Sequence, residues 1–452
     1  MKEKLVISLL CGIVLIFVLF NVNTGVSGRQ TAIPTVDNIG EARFVLTQTE
    51  DNMYQWSEVT GNSTAHLNAS LPLYSLSACM IEADTGRILF GKDEMQERAM
   101  ASTTKILTCL IALENCSLDD IVTVSEYAAS MPDVQLNAKA GEQFRLYDLL
   151  LSLMLESHND TAVAIAEHVG GTVDEFCRIM TDRAKELGCN HSTFLTPNGL
   201  DKERTTENGT EKHATTAYEL AVIMRECIKN EQFVSICRTQ NAMISNVKHT
   251  ANYQLTNHNA LLNMMEGIIA GKTGFTCDAG YCYVGAVEHN DSVFICALLG
   301  CGWPNHKNYK WYDMNVLMDY AKSEFFSVEI SNDIIKNKIP SMIPVTDGIK
   351  NMVPCHTINI GIENAESERL LMRSGEQIVV TYRVPSAVTA PVYQGEKIGE
   401  ISYIINGQTI KCESLTALET IEKQTWKHYF MLLLQDYILS VSSVKSSEKC
   451  AS

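Results

Sequence analysis

The sequence lacks the spacings and charge runs that mark several common classes of protein. Its 15 cysteines include no Cys-x-x-Cys pair, so neither a zinc ribbon nor a dithiol redox motif is indicated. It has no basic run, and 53 acidic against 36 basic residues give a formal net charge of −17 at pH 7. A field of that sign repels phosphate backbones and argues against nucleic acid as a partner. What is present, 46% hydrophobic residues in 452, is enough for globular cores in two or three domains.

The first 28 residues have the layout of a secretory signal. Two lysines precede a largely apolar run from Leu5 to Phe20, and small residues follow as far as Gly28. This order predicts export with cleavage near Gly28. The run is short of the roughly 20 residues that span a membrane but long for a cleaved signal, so an uncleaved anchor is the alternative.

Export outside the cytoplasm would permit disulfides. Cys277 with Cys282 and Cys296 with Cys301 are conceivable pairs, and buried free thiols are the alternative.

The segment from 29 to 70 is polar, broken by glycine and proline, and has no sustained period, so we predict a linker. From 71 to 328 the pattern indicates one α+β domain. A hairpin turns at Asp84-Thr85-Gly86, and a buried helix follows Ser102. Further helices are predicted at 146–155, 160–169, 172–187, 216–229 and 308–326. Strands are predicted at 267–273, 280–287 and 292–299.

Two smaller units follow. Short apolar runs separated by turns between 331 and 413 predict a small all-β domain. From 414 to 441 a single helical face collects apolar and aromatic residues, including Trp426, Phe430 and Leu433. This pattern favours an amphipathic helix lying on a membrane surface; a helix docked on the β domain is the alternative.

Ser102-x-x-Lys105 is the first candidate catalytic motif. A serine hydrolase needs a nucleophile, a nearby base and donors for the oxyanion. At i and i+3 at a helix start, the lysine amine can stand beside the serine hydroxyl. The same spacing recurs at Ser245/Lys248, Ser442/Lys445 and Ser446/Lys449. Ser102 differs from these because it lies between a hairpin and an apolar helix.

Two further motifs strengthen the assignment. Ser157-His158-Asn159 falls in a break between two helices, and Lys272-Thr273-Gly274 ends a strand. Taken singly, a helix N-cap and a solvated strand-end lysine would explain them. In this order, at intervals of 55 and 115 residues, the three motifs are those of penicillin-binding proteins and class A β-lactamases.

On these motifs, residues 73–328 resemble the low-molecular-mass penicillin-binding proteins, the serine-type D-alanyl-D-alanine carboxypeptidases of bacterial envelopes. Four neighbouring sequence segments also resemble the family: Asp84–Leu89, Thr196–Leu200, His213–Ala217 and Gly271–Thr276. The resemblance implies a β-lactamase/DD-peptidase-like catalytic domain followed by a small all-β domain and a membrane-anchoring amphipathic helix. It implies neither a cofactor nor a metal.

The resemblance also implies catalytic roles. Ser102 would attack the carbonyl of the penultimate D-alanine of a peptidoglycan stem peptide, and Lys105 would accept the serine proton. Burial and the charge of Lys272 would lower the pKa of Lys105 into a useful range. Ser157 would relay a proton to the departing D-alanine.

Binding roles follow from the same resemblance. Asn159 would hold the substrate amide and Lys105, while Lys272 and Thr273 would receive the terminal carboxylate. Gly274 would let the strand approach closely. The N–H groups of Ser102 and Phe275 would form the oxyanion hole. β-Lactam antibiotics would acylate the same serine as covalent inhibitors.

The chain departs from the family pattern at two points. His158 stands where glycine is usual, either packed or as a titratable group in the cleft. An arginine that helps bind the carboxylate in relatives is not obvious, although Lys307 and Lys310 are available. Two alternatives stay open: a class A-like β-lactamase, which would not need the β domain and helix, and a catalytically dead envelope-binding protein, which the intact motifs disfavour.

Overall fold

The computed structural model describes residues 39–48, 54–58, 70–207, 209–330, 335–336, 339–351, 353–362, 368–431 and 433–434. The predicted signal at 1–28 lies outside these residues.

The catalytic region alternates helices with short strands. Its helices are α1 (Lys105–Asn115), α2 (Glu126–Ala129), α3 (Leu146–Leu155), α4 (Asn159–Gly170), α5 (Val173–Glu186), α6 (Ala217–Cys227), α7 (Glu231–Arg238), α8 (Leu261–Met264) and α9 (Tyr309–Glu324). Two strands precede this region, β1 (Ile39–Gln48) and β2 (Tyr54–Glu58). The strands of the region itself are β3 (Ser77–Glu82), β4 (Ile88–Lys92), β5 (Ile121–Thr123), β6 (Gln143–Arg145), β7 (Glu203–Thr206), β8 (Gly209–Lys212), β9 (Asn241–Ser245), β10 (Asn252–Thr256), β11 (Ile268–Thr276), β12 (Gly280–His289), β13 (Ser292–Leu299) and β14 (Phe325–Ile330).

A five-stranded antiparallel sheet of order β11-β12-β13-β3-β4 is the centre of this region. The β3–β4 hairpin comes from the start of the domain and the β11–β13 meander from its end, which confirms the α+β prediction. β11 is an edge strand, so its outer side is free to face the helix that follows Ala101.

The sheet is buried on both faces because its strands alternate apolar side chains up and down. Cys79 and Ile81 of β3 pack against the helical block, whereas Ala78 and Met80 pack on the side of α9. The long helices α1 and α3 are almost wholly buried within the block. This burial holds the catalytic segments between the sheet and the helices.

The start of α6 shows how local signals and tertiary contacts share one residue. Thr216 caps the helix, accepting the N–H of Glu219 at 3.0 Å. The Glu219 carboxylate accepts the N–H of His191 at 2.8 Å and the hydroxyl of Ser192 at 2.6 Å. The glutamate thus fixes the segment that leads into residues 193–198.

A β domain follows, built on its own apolar core. Its strands are β15 (Met342–Lys350), β16 (Val353–Ile362), β17 (Glu368–Arg373), β18 (Ile378–Pro385), β19 (Val388–Thr389), β20 (Lys397–Ile405), β21 (Gln408–Ala417) and β22 (Glu422–Lys423). β17 pairs with β14, which joins this domain to the end of the catalytic region.

The linker prediction for 29–70 is wrong for two stretches. Residues Ile39–Gln48 form β1 and Tyr54–Glu58 form β2. β1 pairs antiparallel with β18, from Ile39 opposite Pro385 to Leu46 opposite Ile378. Without them β18 would expose a row of unpaired backbone groups, which added strands satisfy.

The predicted start of the C-terminal helix at 414 is also wrong. Residues 414–417 complete β21, and β22 pairs with β15, so the β domain continues through Lys423. Helix begins at 426 and is described for 426–431 and 433–434. Among the described residues, no helix is long and apolar enough to span a membrane.

The cysteines in the described part of the chain are free thiols, and the two conceivable disulfides are not formed. Most of these thiols are buried, as in the alternative reading of the sequence.

Candidate active site

Ser102 and Lys105 meet at the start of α1. A short 3-10 helix, Ala101–Thr104, leads into α1, and Ala101 has a φ of +48°. Lys105 Nζ lies 2.8 Å from Ser102 Oγ, 3.0 Å from Asn159 Oδ1 and 2.5 Å from the carbonyl oxygen of Asn198. As an ammonium, Lys105 donates to all three. As a neutral amine it has two N–H donors for the amide oxygens and a lone pair facing the serine hydroxyl.

Burial sets the charge state of the two lysines. Lys105 is fully buried, and this burial, followed by the charge of Lys272, lowers its pKa well below the usual 10.5. Burial also lowers the pKa of Lys272 to about 7. Lys105 is thereby biased toward the neutral form that a general base requires.

The middle motif faces both lysines. Ser157, with a φ of +66°, accepts a hydrogen bond from Lys272 Nζ at 2.9 Å. Asn159 is the first residue of α4, and its Nδ2 donates to the carbonyl oxygens of Pro132 and Asp133, each at 3.1 Å. The structure therefore brings Asn159 to Lys105 as expected. Both N–H groups of its amide are bonded within the protein.

His158 packs away from the cleft. Its φ of −64° and ψ of 134° are ordinary extended values, so glycine is not required at this position. Its Nδ1 lies 2.8 Å from Ser152 Oγ, which in turn lies 2.9 Å from Thr161 Oγ1. Burial lowers the pKa of His158 to about 4. This histidine is a neutral packing group between α3 and α4 at physiological pH.

β11 closes the other side of the site. A Cβ on Gly274 would lie 2.8 Å from Ser102 N and 3.0 Å from Thr103 N. The backbone of the strand is therefore in direct contact with the 3-10 helix Ala101–Thr104, called the nucleophile turn below. Thr273 is partly exposed and Phe275 is exposed at the strand edge. Glycine is needed at 274 because any side chain would push the strand away. The three motifs thus converge on one cleft.

Lys310 is engaged elsewhere. Its Nζ lies 4.7 Å from the Tyr281 ring centre and 4.6 Å from that of Trp311, and it donates to the Lys307 carbonyl at 2.5 Å. These contacts use the ammonium within the protein.

Comparison with known families assigns the chain. Residues 64–302 match the family described as D-alanyl-D-alanine carboxypeptidase. The chain belongs to this family. Residues 336–423 match the domain described as penicillin-binding protein 5, C-terminal domain. The predicted family is confirmed, and so is the enzyme class, a serine-type peptidase among the hydrolases.

Individual relatives agree. The chain is 27% identical over 355 residues to D-alanyl-D-alanine carboxypeptidase DacF of Bacillus subtilis, covering 77% of this chain and 86% of the relative. It is 31% identical over 219 residues to DacB2 of Mycobacterium tuberculosis, covering 48% and 72%.

Solved structures are similar to both domains. The crystal structure of PBP3 from Streptococcus pneumoniae, described as a peptidoglycan synthesis regulatory factor, superposes with a TM-score of 0.61 at 25% identity, covering 77% of this chain and all of that one. Penicillin-binding protein 5 of Haemophilus influenzae, at 21% identity and a TM-score of 0.62, covers 78% of this chain and 99% of its own and shares the fold.

Two groups in this carboxypeptidase-family site were not assigned from the sequence. The Asn198 carbonyl oxygen accepts from Lys105 Nζ and, at 3.3 Å, from Ser102 Oγ. Gly199, at φ +87°, packs so closely that its Cβ would lie 2.0 Å from the Ala101 carbonyl oxygen. The sequence Thr196–Leu200 resembles the family, but it does not reveal that a backbone carbonyl of this segment contacts Lys105, because every residue type has the same carbonyl group.

Proposed function

We propose that this chain removes the terminal D-alanine from peptidoglycan stem peptides through an acyl-enzyme on Ser102. The observation that most supports this is the buried Lys105 amine at 2.8 Å from the Ser102 hydroxyl. A nucleophile beside a base of lowered pKa is the requirement for covalent catalysis by serine.

Acylation begins at the carbonyl of the penultimate D-alanine. Ser102 Oγ attacks the carbonyl carbon while Lys105 Nζ takes the hydroxyl proton. Negative charge develops on the carbonyl oxygen between the N–H groups of Ser102 and Phe275, at the contact of β11 with the nucleophile turn. Ser157 then relays a proton to the leaving amine, with its hydroxyl oriented by Lys272.

Substrate orientation rests on the terminal carboxylate. The Lys272 ammonium and the Thr273 hydroxyl bind it at the edge of β11. The formal charge of −17 repels an anionic stem peptide, so the attraction must come from these local donors. Water hydrolyses the ester on Ser102 and restores the enzyme. A β-lactam acylates the same oxygen.

Mass spectrometry of the penicillin adduct tests this directly. We expect the full-length protein treated with benzylpenicillin to give one modified peptide, with the adduct on Ser102. Ser102→Ala should lose the adduct and reduce D-alanine release from a pentapeptide by at least about 10,000-fold, as loss of a covalent nucleophile does.

Ser245→Ala is the matched control, because Ser245 has the same spacing to Lys248 yet donates to Asn252 at 2.6 Å on a surface hairpin. Labelling that persists in Ser102→Ala would refute the assignment. Rapid turnover of penicillin with slow D-alanine release would favour a β-lactamase, and absence of both reactions a binding protein.

We also propose that the protein is exported and held on the outer face of the cell membrane by the helix that begins at 426. On this helix Trp426 is 81% exposed, Phe430 56% and Leu433 61%, and Tyr429 is exposed beside them. Aromatic side chains with this exposure suit the interfacial region of a bilayer.

Truncation after Gln424 tests the anchor while keeping β21 and β22 intact. With cleavage of the signal verified by N-terminal sequencing, the truncated protein should move from the membrane fraction to the soluble extracytoplasmic fraction. Replacing Trp426, Phe430 and Leu433 together by serine should have the same effect in the full-length chain. Unchanged membrane retention of both variants would contradict the proposal.

A further inference from the structure

His213 is a fully enclosed histidine next to the nucleophile turn. It lies in an extended segment whose neighbours pair with Arg98 and Thr193. Its Nδ1 accepts the backbone N–H of Leu195 at 3.0 Å, and its Nε2 lies 2.8 Å from Thr104 Oγ1. One imidazole therefore contacts both the segment before Asn198 and the 3-10 helix that holds Ser102.

The hydrogen-bond partners fix the tautomer. A backbone N–H can only donate, so Nδ1 has no proton and Nε2 has one. Nε2–H then donates to Thr104 Oγ1, whose own proton goes to the Ala101 carbonyl oxygen at 2.8 Å. Protonation of Nδ1 would set two donors against each other. Burial, followed by the charges of Lys105 and Lys202, lowers the pKa of His213 to about 3.

The relay of hydrogen bonds from His213 through Thr104 ends at the carbonyl oxygen of Ala101. Ala101 is held at φ +48°, an uncommon conformation for a residue with a side chain. Its carbonyl oxygen lies under Gly199, and its peptide bond leads directly into Ser102. The direction of the Ala101 carbonyl sets the plane of the Ser102 N–H, which is the proposed oxyanion donor.

We propose that His213 is a positioning residue that, through Thr104, fixes the Ala101–Ser102 peptide and holds it in register with the Asn198 carbonyl. The imidazole reaches the Ser102 side of the Lys105 amine through Thr104 and Ala101. It reaches the Asn198 side through the N–H of Leu195. The inference rests on the proposed role of Ser102 as the nucleophile.

Thr104 offers the sharpest test. Thr104→Val keeps the shape but removes the link to His213, and Thr104→Ser keeps the hydroxyl. Because small misplacements of reacting groups have large kinetic effects, we expect penicillin acylation by Thr104→Val to slow by about 10- to 100-fold. Thr104→Ser should acylate within about threefold of the unmodified protein.

Thr108→Val separates positioning from simple stability. Thr108 is also buried on α1, and its hydroxyl donates to the Pro197 carbonyl at 2.7 Å, on the same loop but away from Ala101. Thr104→Val removes the hydrogen bonds of Thr104 Oγ1 with His213 and Ala101, and Thr108→Val removes those of Thr108 Oγ1 with Pro197 and, at 4.0 Å, with Met180 Sδ, so both valine variants should lower Tm. Only Thr104→Val should slow acylation.

The tautomer gives an independent readout. In the 15N NMR spectrum of the full-length protein at neutral pH, His213 should show a protonated Nε2 and an unprotonated Nδ1. An Nδ1–H tautomer would overturn the relay, as would unchanged acylation by Thr104→Val. If the unmodified protein is not acylated at all, the proposed function fails while the NMR measurement still decides the relay.

Discussion

Lys105→Arg is expected to slow acylation by penicillin about 100- to 10,000-fold, the contribution of a general base in the transition state. Arginine remains protonated at every working pH, so it has no lone pair to accept the Ser102 proton. The measurement is the rate of labelling with a fluorescent penicillin. Lys248→Arg is the matched control, because Lys248 is exposed on a surface turn and has the same spacing from a serine.

The dependence of the acylation rate on pH tests the same role of Lys105 as a general base. Acylation should rise as pH increases through the lowered pKa of Lys105, because only its neutral form accepts a proton. It should fall again as Lys272 loses its charge near its own pKa of about 7, because the carboxylate then loses its cation. Lys272→Met removes the neighbouring charge, raises the pKa of Lys105 and moves the ascending limb to higher pH. An ascending limb that stays in place would contradict the coupling of the two lysines.

Arg87→Met is expected to lower the free energy of unfolding by about 3–5 kcal/mol, the cost of leaving one member of a buried ion pair unpaired. Arg87 ion-pairs with Glu376, with side-chain exposures of 3% and 4%. It also donates to the Leu371 carbonyl at 2.9 Å, and Asn406 donates to Glu376 at 2.8 Å. The pair therefore joins the β3–β4 hairpin to the β domain through buried groups, and thermal and urea unfolding measure its loss.

The chain offers its own control for this pair. Arg369 and Asp291 join the same two domains at 3.1 Å, with exposures of 54% and 78%. Arg369→Met should cost at most about 1 kcal/mol, because exposed pairs are screened by solvent. In Arg87→Met, Glu376→Gln should recover part of the loss by removing the unpaired charge. Equal effects of Arg87→Met and Arg369→Met would show that burial does not govern the contribution.

Much of the catalytic region was predictable because its elements are long and periodic. α3, α4 and α5 begin and end within one residue of the predicted bounds, since their apolar faces repeat along each helix. The strands β1 and β2, in the segment predicted to be a linker, were not predictable in this way. β1 exists by pairing with β18, a partner near the other end of the chain, and a short window of sequence contains no sign of it.

The C-terminal boundary failed for a related reason. The run that starts at 414 is apolar enough to suit a helix or a strand, and pairing decided between them. Leu415 and Thr416 lie opposite β16 and β20 in the β-domain sheet. Hydrogen bonds to those two strands outweigh the local preference.

The sequence by itself determined the three motifs, their order and the helix start that places Lys105 one turn after Ser102, because side-chain spacing along a helix is a local property. Only the tertiary structure decided the chemistry of these groups. Lys105 is buried by the packing of α1 against distant segments, with Lys272 as a neighbour and the Asn198 carbonyl as an acceptor. His158 and His213 are neutral for the same reason. Burial and long-range partners set these pKa values, and both arise only when residues far apart in the chain come together.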